Sequence, residues 1–528
     1  MLMQRLLLLQ RKRECRVKLA TKKAINQLDQ EAIHQYEIPS LLLMEHAAYG
    51  VFDYLEKEHS GKAVTILCGP GNNGGDGLAL ARLLYTLTKV KVQVVLLTEK
   101  EKLSSDGKVY YAICKCLGIP FYDYGEEREV VEDLIEESEV VVDALFGTGL
   151  TRDLTGDFYK VIEKVNMSTA FKVSVDIPSG IHADTAKVLG IAVKADCTLT
   201  FQVPKIGHFL YPGLVYTGDL RIVDIGIPKI LVEQMPCRHY VIDETMVKNM
   251  LPERPIRSNK GTYGKVLVIG GQVGMGGAIC LTSKAVMKMG AGLVTIAVPE
   301  SLTFLTQQKV TEAITLPLPE YNGHIDANAA KWLEEQLKHF TTIAIGPGIG
   351  RSRAVLPIME VLLKGNQPMV VDADGLYALK PYLHELRARK APIIITPHPG
   401  EMAYLSGETI EDILLHPIET AKNFSEHFGV VVVLKIERMI VALPSGEVYI
   451  NSKGHTAIAK GGAGDVLTGM ITGLLAQNRQ PIEATLLGCY LHADTACNLA
   501  KDKGSYSVLP SDLIEYVAES FKRLENKH

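Results

Sequence analysis

The clearest chemical pattern in the chain is in residues 460–469, where glycines and an acid precede an apolar run. Gly461, Gly462 and Gly464 come just before Asp465, and apolar residues then recur at helical spacing. Free amides at a helix N-terminus bind anions, and glycine lets the backbone approach a phosphate closely. Asp465 therefore either caps the helix or takes a proton from a substrate hydroxyl beside a phosphate site. The crowding of glycines favours the general base, because a cap needs one glycine at most.

Three acids in the first half of the chain follow predicted strands instead of preceding a helix. Asp76, Asp143 and Asp176 each follow a short apolar run that predicts a buried strand. Each acid alone is equally well interpreted as a turn or cap residue. Ligands of open α/β sheets bind outside the carboxyl ends of the strands, so three acids at one rim indicate a site. Asn72 and Asn73 add carbonyl oxygens beside Asp76, which favours a bound cation.

A glycine pattern in the same region has a competing interpretation. Gly69, Gly71 and Gly74 match the dinucleotide fingerprint G-x-G-x-x-G, and Glu99 follows the next strand. A single match of this kind is weak evidence for dinucleotide binding. Asp76 counts against a dehydrogenase, because its carboxylate would repel a pyrophosphate in the same loop.

Polar residues also follow the strands predicted in the second half. Asp374, His398 and Glu401 come after apolar runs and are expected at the same rim of a sheet as Asp465. A histidine between two prolines is, by itself, more often a rigid surface turn than a ligand. The expected position of His398 at the same rim as the three acids favours a role in a binding site.

Alternating strands and helices predict the α/β class, with parallel sheets covered by helices on both faces. Helices are predicted on either side of Pro39, and a glycine loop at 69–77 is predicted to precede a helix at 78–87. The irregular, proline-containing run between residues 228 and 260 predicts a domain boundary. The predicted strands are at residues 63–68, 91–97, 140–142, 173–175, 265–269, 343–345, 369–371 and 393–395.

Composition limits the class of protein. A chain of 528 residues exceeds one ordinary domain, and 47% hydrophobic with 22% charged residues is typical of a globular protein. A net charge of -4 argues against nucleic acid as a partner. Nine cysteines without metal or disulfide spacing favour a reducing, cytoplasmic location. No membrane segment is predicted, and residues 1–20 are interpreted as a frayed tail rather than a targeting peptide.

The first-half motifs, at residues 72–77, 143–149 and 176–180, resemble the NAD(P)H-hydrate epimerase family over residues 21–228. The resemblance implies a Rossmann-like domain that interconverts the R and S hydrates of NADH and NADPH, called NADHX and NADPHX. It implies a potassium ion at Asn73, Asp143 and Ser179, with Asp176 as the acid/base group and Lys205 assisting. The implied substrate-binding residues are Asn72, Asn73, Gly74, Gly75, Asp76, Gly147, Thr148, Gly149, Leu150, Thr151, Arg152, Asp153 and Asp176.

The Gly-Ala-Gly-Asp turn before the Asp465 helix resembles that of the ribokinase-like superfamily. Together with Asp372-Ala373-Asp374 and the segment 397–401, it resembles nucleotide-dependent NAD(P)H-hydrate dehydratases over residues 240–525. The resemblance implies dehydration of the S hydrate driven by ADP or ATP with Mg²⁺, and ADP is expected to give AMP and phosphate. Implied contacts are Ala278, Gly348, His398 and Asp465 for the hydrate, and Lys435, Ile436, Glu437, Arg438, Met439 and Gly464 for the nucleotide.

These resemblances favour a bifunctional enzyme in which the epimerase converts the unusable hydrate into the usable one. The mechanism implied is phosphoryl transfer to the ring hydroxyl, with Asp465 as base, followed by loss of phosphate. ADP is expected as donor because the fused arrangement resembles prokaryotic members, and a homo-oligomer is expected. The alternatives are a ribokinase-type kinase acting on a vitamin alcohol and a scaffold that binds nucleotides without turnover.

Overall fold

The computed structural model describes residues 16–252, 254–477 and 479–525. They form two compact units: Lys18–Cys237, and the chain from Arg238 onward together with Arg16 and Val17. Both units are α/β, which confirms the predicted fold class. No helix of the described residues is long and apolar enough to cross a bilayer.

The first unit is built on a seven-stranded sheet in the order β3-β2-β1-β4-β5-β6-β7. All six strand pairs are parallel, and this doubly wound order leaves a crevice where the direction of winding reverses, beside β1 and β4. The strands are β1 (Val64–Cys68), β2 (Val92–Leu96), β3 (Phe121–Asp123), β4 (Val140–Ala144), β5 (Phe171–Val175), β6 (Cys197–Phe201) and β7 (Asp219–Val223).

Helices cover both faces of this sheet, because each face presents buried valine, isoleucine and leucine side chains. The predicted break between two helices at Pro39 is confirmed, since one helix ends at His34 and the next begins at Ser40. The helices are α1 (Lys22–His34), α2 (Ser40–Glu58), α3 (Asn72–Leu87), α4 (Ser105–Cys116), α5 (Arg128–Glu137), α6 (Gly156–Met167), α7 (Gly213–Thr217) and α8 (Lys229–Gln234).

The predicted start of α3 is wrong. The helix begins at Asn72 rather than at residue 78, so residues 72–77 of the expected loop belong to the helix. An added Cβ on Gly74 would lie 2.0 Å from the oxygen of Gly69, and one on Gly77 would lie 2.7 Å from Ala144 Cβ. These glycines therefore allow the helix to pack directly against the strand ends.

The second unit has a ten-stranded sheet in the order β11-β10-β9-β14-β15-β16-β17-β18-β19-β8. Its pairs are parallel except β17 with β18 and β18 with β19. A separate hairpin is formed by β12 and β13. The strands are β8 (His239–Ile242), β9 (Lys265–Ile269), β10 (Leu293–Pro299), β11 (Ile314–Leu318), β12 (Glu320–Tyr321), β13 (His324–Ile325), β14 (Thr342–Ile345), β15 (Met369–Val371), β16 (Ile393–Ile395), β17 (Val431–Leu434), β18 (Ile440–Ala442) and β19 (Val448–Asn451).

The core of this unit lies between the sheet and three long helices rich in small and aliphatic residues. The helices are α9 (Glu244–Lys248), α10 (Gly276–Lys288), α11 (Thr303–Lys309), α12 (Ala329–Gln336), α13 (Val355–Lys364), α14 (Asp374–Leu379), α15 (Pro399–Ser406), α16 (Ile410–Leu415), α17 (Pro417–Phe428), α18 (Ala463–Leu475), α19 (Pro481–Lys503) and α20 (Pro510–Glu525).

The prediction of an N-terminal tail is only partly covered by the structure. Residues 1–15 lie outside the described residues. Arg16 donates a 2.8 Å hydrogen bond to Tyr449 Oη, and the Val17 carbonyl accepts one from Val241 N at 2.9 Å. The tail interpretation is therefore wrong for residues 16–20, because these backbone and side-chain partners fix the segment.

Candidate active sites

A cavity of about 770 Å³ in the first unit lies over the carboxyl ends of β4 and β5. Its walls also include α1, α2 and the start of α3. Gly74 and Gly75 are instead buried within α3, and Asp153 does not line the cavity. The predicted residues that line it are Asn72, Asn73, Asp76, Gly147, Thr148, Gly149, Leu150, Thr151, Arg152 and Asp176.

Asp176 has an unusual backbone conformation at the end of β5. Its φ is +66°, in the left-handed region, which is uncommon for a non-glycine residue and typical of functional sites. Its Oδ1 forms an ion pair with Lys205 Nζ and accepts hydrogen bonds from Phe201 N at 3.2 Å and Thr200 Oγ1 at 3.3 Å. The fold therefore holds one oxygen firmly and leaves the carboxylate facing the cavity.

His208, which the sequence did not predict as a site residue, orients both members of this pair. Its ring is buried, Nδ1 accepts from Lys205 N at 3.1 Å, and Nε2–H donates to the Asp176 carbonyl at 3.1 Å. Burial, and then the Lys205 charge, lower the pKa of His208 to about 3, so the ring is neutral. No spacing pattern in the sequence indicates His208 as a site residue, because its contacts with Lys205 and Asp176 depend on the turn after β6.

Of the three residues predicted for potassium, Asp143 and Ser179 are hydrogen-bonded to each other, and Asn73 lines the cavity. Asp143 Oδ1 and Oδ2 accept from Ser179 Oγ at 2.5 Å and Ser179 N at 2.9 Å, and Ser174 and Leu145 donate too. Every donor is neutral, and burial raises the pKa of Asp143 despite these bonds. The amide nitrogen of Asn73 is buried without a partner among the described residues. A buried anion among hard oxygen atoms suits a potassium ion.

Three further carboxylates, those of Asp29, Asp76 and Asp106, line the cavity without a hydrogen bond or ion pair among the described residues. Burial raises the pKa of Asp76 well above its usual value, and the neighbouring Asp176 adds to the effect. Burial also raises the pKa of Asp29 to about 6, which Lys205 partly opposes. Asp29, on α1, was missed in the sequence because it falls inside an ordinary amphipathic helix.

The second site lies at the N-terminus of α18. Gly462 is the N-cap with a φ of +97°, and no side chain caps the helix. The interpretation of Asp465 as the capping residue is therefore wrong, because the acid lies in the first turn. Its carboxylate has no hydrogen-bond partner among the described residues. Burial and then the charge of Asp372 raise the pKa of Asp465 to about 7, which suits a general base.

An ion-pair network lies beside Asp465. Lys435 Nζ is 2.7 Å from Asp372 Oδ1 and 3.7 Å from Glu401 Oε2, and Thr468 Oγ1 donates to Asp372 Oδ2 at 2.7 Å. Burial by itself would raise the pKa of Asp372, but the charge of Lys435 outweighs burial and lowers it. Burial would likewise lower the pKa of Lys435, but the charges of Asp372 and Glu401 outweigh burial and raise it. Burial raises the pKa of Glu401 in spite of Lys435.

His398 adjoins this network as the N-cap of α15. Its Nδ1 accepts from Gly400 N at 3.0 Å, and its Nε2 lies 3.5 Å from Glu401 Oε1. The side chain is 55% exposed, so one face remains accessible. His398 is thus both a rigid turn residue and a neighbour of the network.

Ala278 lies in the first turn of α10, and Gly348 lies in the loop after β14. An added Cβ on Gly348 would lie 3.3 Å from Ala278 Cβ and 2.6 Å from the Met275 oxygen. Thr282, one turn after Ala278, donates to the Asp465 carbonyl at 3.1 Å. These contacts place Ala278 and Gly348 near the start of α18, whereas His398 is connected to that region through Glu401 and Lys435.

The residues predicted to contact the nucleotide differ in their positions. An added Cβ on Gly464 would lie 3.3 Å from Lys435 Nζ, so these two residues are adjacent. Ile436 and Glu437 lie in the turn between β17 and β18. Met439 is buried in the core, and Arg438 donates to the Asn451 carbonyl at 3.4 Å.

The sequence also missed residues that support the second site. His492, buried on α19, contacts the Ala463 carbonyl at 3.0 Å, and burial lowers its pKa to about 4. Thr468 was overlooked because it looks like a plain core position of α18. Ala373, with a φ of +49°, brings a strained backbone next to Asp372.

Comparisons with known proteins match each half of the chain to a protein family. Residues 266–519 match the family model described as NAD(P)H-hydrate dehydratase, and residues 40–207 match the one for YjeF-related protein N-terminus. Bifunctional NAD(P)H-hydrate repair enzymes of Moorella thermoacetica and Thermofilum pendens are 38% and 35% identical, each over 96% of this chain and 97% of the relative.

Among solved structures, an ADP/ATP-dependent NAD(P)H-hydrate dehydratase from Bacillus subtilis, co-crystallised with ATP/Mg²⁺, is 31% identical. It covers 54% of this chain and 98% of its own, with a TM-score of 0.49. The near full-length similarity to the curated relatives carries the assignment. The chain belongs to the family of bifunctional NAD(P)H-hydrate repair enzymes.

Proposed function

We propose that this chain repairs hydrated nicotinamide cofactors in two steps. The first unit epimerises the R and S hydrates of NADH and NADPH, and the second dehydrates the S form with a nucleotide. Family membership over 96% of the chain is the observation that carries this proposal. The two acid/base centres, one in each unit, are consistent with it.

In the first unit, Asp176 is the acid/base group and Lys205 fixes its orientation, with the neutral ring of His208 behind both. The cavity lining from α3 and the loop at 146–152 holds the nucleotide part of the hydrate. A potassium ion at Asn73, Asp143 and Ser179 would neutralise the buried carboxylate and order this loop. Each of these roles can be tested by substituting the residue concerned.

In the second unit, Asp465 takes the proton from the ring hydroxyl of the hydrate while that oxygen attacks the terminal phosphorus of the nucleotide. Amides at the start of α18 bind the phosphoryl oxygens, and Lys435 with Gly464 borders the nucleotide. The phosphorylated hydrate then loses phosphate and a ring proton to give the reduced cofactor. Phosphorylation matters because hydroxide is a poor leaving group and phosphate a good one.

Magnesium would accompany the nucleotide and neutralise its phosphate oxygens. Within the described residues, no three His, Cys, Asp or Glu side chains are grouped as ligands of a metal ion. Magnesium commonly uses one or two carboxylates plus substrate phosphates, so it needs few ligands from the protein. The ion is thus expected to arrive with the nucleotide.

We further propose ADP as the preferred donor, with AMP and phosphate as products, a cytoplasmic location and a homo-oligomeric state. Purified S hydrate is incubated with ADP or ATP, and nucleotides are separated by chromatography. Stoichiometric AMP and reduced cofactor with ADP support the proposal. A stable phosphorylated product would instead favour a ribokinase-type kinase, and sedimentation at the mass of one chain would refute the oligomer.

A further inference from the structure

Asp29 has no role in the proposed mechanism, although it faces the cavity of the first unit. The neighbouring α1 residues Ile25, Leu28 and Ile33 also line the cavity, so this helix is one of its walls. The Asp29 side chain is partly buried, and its carboxylate makes no hydrogen bond or ion pair to the described residues. An unpaired buried carboxyl group is costly to keep unless it has a function.

The backbone ties α1 to the acid/base pair. Ala20, just before α1, accepts from Ile206 N at 3.3 Å and donates to the Pro204 carbonyl at 2.9 Å, which brackets Lys205. Lys22 N also donates to Asp184 Oδ1 at 2.6 Å. The start of α1 is therefore anchored to the segment that carries Lys205, which limits movement of Asp29 relative to Asp176.

Epimerisation at the hydrate carbon requires two proton carriers. The leaving hydroxyl must receive a proton to depart as water, and the water that adds to the other face of the ring must lose one. Asp176 is already ion-paired with Lys205 and so enters as the base. The cavity needs a second group that enters protonated.

We propose that Asp29 is this second acid/base group; the proposal rests on the epimerase activity inferred above. Asp29 donates its proton to the ring hydroxyl, the C–O bond breaks with its electron pair leaving in water, and a ring cation stabilised by nitrogen remains. Water adds to the opposite face and gives a proton to Asp176. Each turnover thus moves one proton from Asp29 to Asp176, and proton exchange with solvent water returns both groups to their starting states; the reverse reaction exchanges the two roles.

The surroundings distinguish Asp29 from the other charged groups of the cavity, which are Asp76, Asp106, Arg152, Asp176 and Lys205. Two carboxyl groups in unlike environments commonly divide acid and base roles. With a pKa of about 6, Asp29 can release and regain a proton near neutral pH. Asp76 instead lies on α3, one turn from Asn73, and burial raises its pKa well above the usual value.

The test compares Asp29→Asn and Asp29→Glu with the matched control Asp53→Asn, whose carboxylate pairs with Lys57 on the exposed side of α2. Conversion of purified R hydrate to S hydrate is followed by chromatography without nucleotide, as a function of pH. Dehydration of S hydrate by the same preparations reports on folding of the full chain. Thermal unfolding is measured in parallel.

We expect Asp29→Asn to lower the epimerase kcat by about 100-fold or more with little change in KM, and Asp29→Glu to restore part of it. The wild-type kcat/KM should fall as pH rises through about 6, and Asp29→Asn should remove that limb. Near wild-type turnover in Asp29→Asn, or a change confined to KM, would overturn the proposal. A wild-type protein without epimerase activity would refute the proposed function itself.

Discussion

An aspartate side chain has different surroundings in the two candidate sites. Asp176 is paired with Lys205 and held by backbone donors, whereas Asp465 is half buried with no donor and lies near Asp372. The first environment fixes a charged group in place. The second keeps a carboxylate ready to accept a proton at neutral pH.

Replacing Asp465 by asparagine should abolish dehydration, with a loss of kcat of at least about 1,000-fold, and leave epimerisation intact. In the wild type, dehydration should rise with pH through about 7, because the base must be ionised. Initial rates across pH 5.5–9 would check this. A flat profile, or an active Asp465→Asn, would exclude Asp465 as the base.

Asp465→Asn should also change stability in a pH-dependent way. The folded-state pKa of about 7 lies above the unfolded value, so ionisation of Asp465 destabilises the fold as pH rises from about 4 to 7. The variant should therefore match the wild type near pH 4 and exceed it above pH 7, by on the order of 2 kcal/mol. Denaturant unfolding at pH 5 and 8 measures the difference, and a variant less stable at pH 8 would contradict it.

Lys435→Met should destabilise the second unit by about 3 kcal/mol, because Asp372 and Glu401 would be left buried without their cation. Lys364→Met, which breaks an exposed pair with Glu360, is the control and should have a much smaller effect on unfolding. Urea unfolding of both variants tests this. Equal effects would mean that the network contributes no more than a surface pair.

At the scale of elements, close helix packing determines where the acids lie. The α10 and α18 helices cross at Gly469, where an added Cβ would lie 2.3 Å from the Thr282 oxygen. Thr282 also donates to the Asp465 carbonyl, so this crossing positions the start of α18. Small residues are therefore needed well away from the reacting groups.

Gly469→Ala should lower both stability and dehydratase activity, since the helices must separate to admit the methyl group. Gly277→Ala is the control on α10, where nothing lies within 4 Å of an added Cβ and a helix gains from alanine. A loss of about 1–3 kcal/mol at position 469 is expected by thermal or denaturant unfolding. Comparable stability of the two variants would contradict this account of the crossing.

The elements also show what the sequence could and could not predict. Apolar periodicity located the strands before Asp176 and Asp372 and the helix after Asp465, because local patterns determine those elements. The start of α3 was misplaced, since glycines that serve close packing look like a loop in the sequence. His208, Thr468 and Asp29 could not be identified, because only tertiary contacts give them their surroundings.

At the scale of the whole molecule, the chain combines two separate chemical centres, one in each compact unit. Asp176→Asn should abolish only epimerisation and Asp465→Asn only dehydration, and replacing potassium by sodium should slow only the former. Each activity is measured with one purified hydrate. Loss of both activities in either variant, without unfolding, would contradict the separation.

The central claim is tested most directly by recovery of reduced-nicotinamide absorbance from an R/S mixture of NADPH hydrate with ADP, magnesium and potassium. Complete recovery, faster than the spontaneous interconversion of the hydrates, is the predicted result. Recovery that stops at the S fraction would eliminate the epimerase. The absence of any recovery, with a phosphorylated product in its place, would contradict the assignment of the second unit.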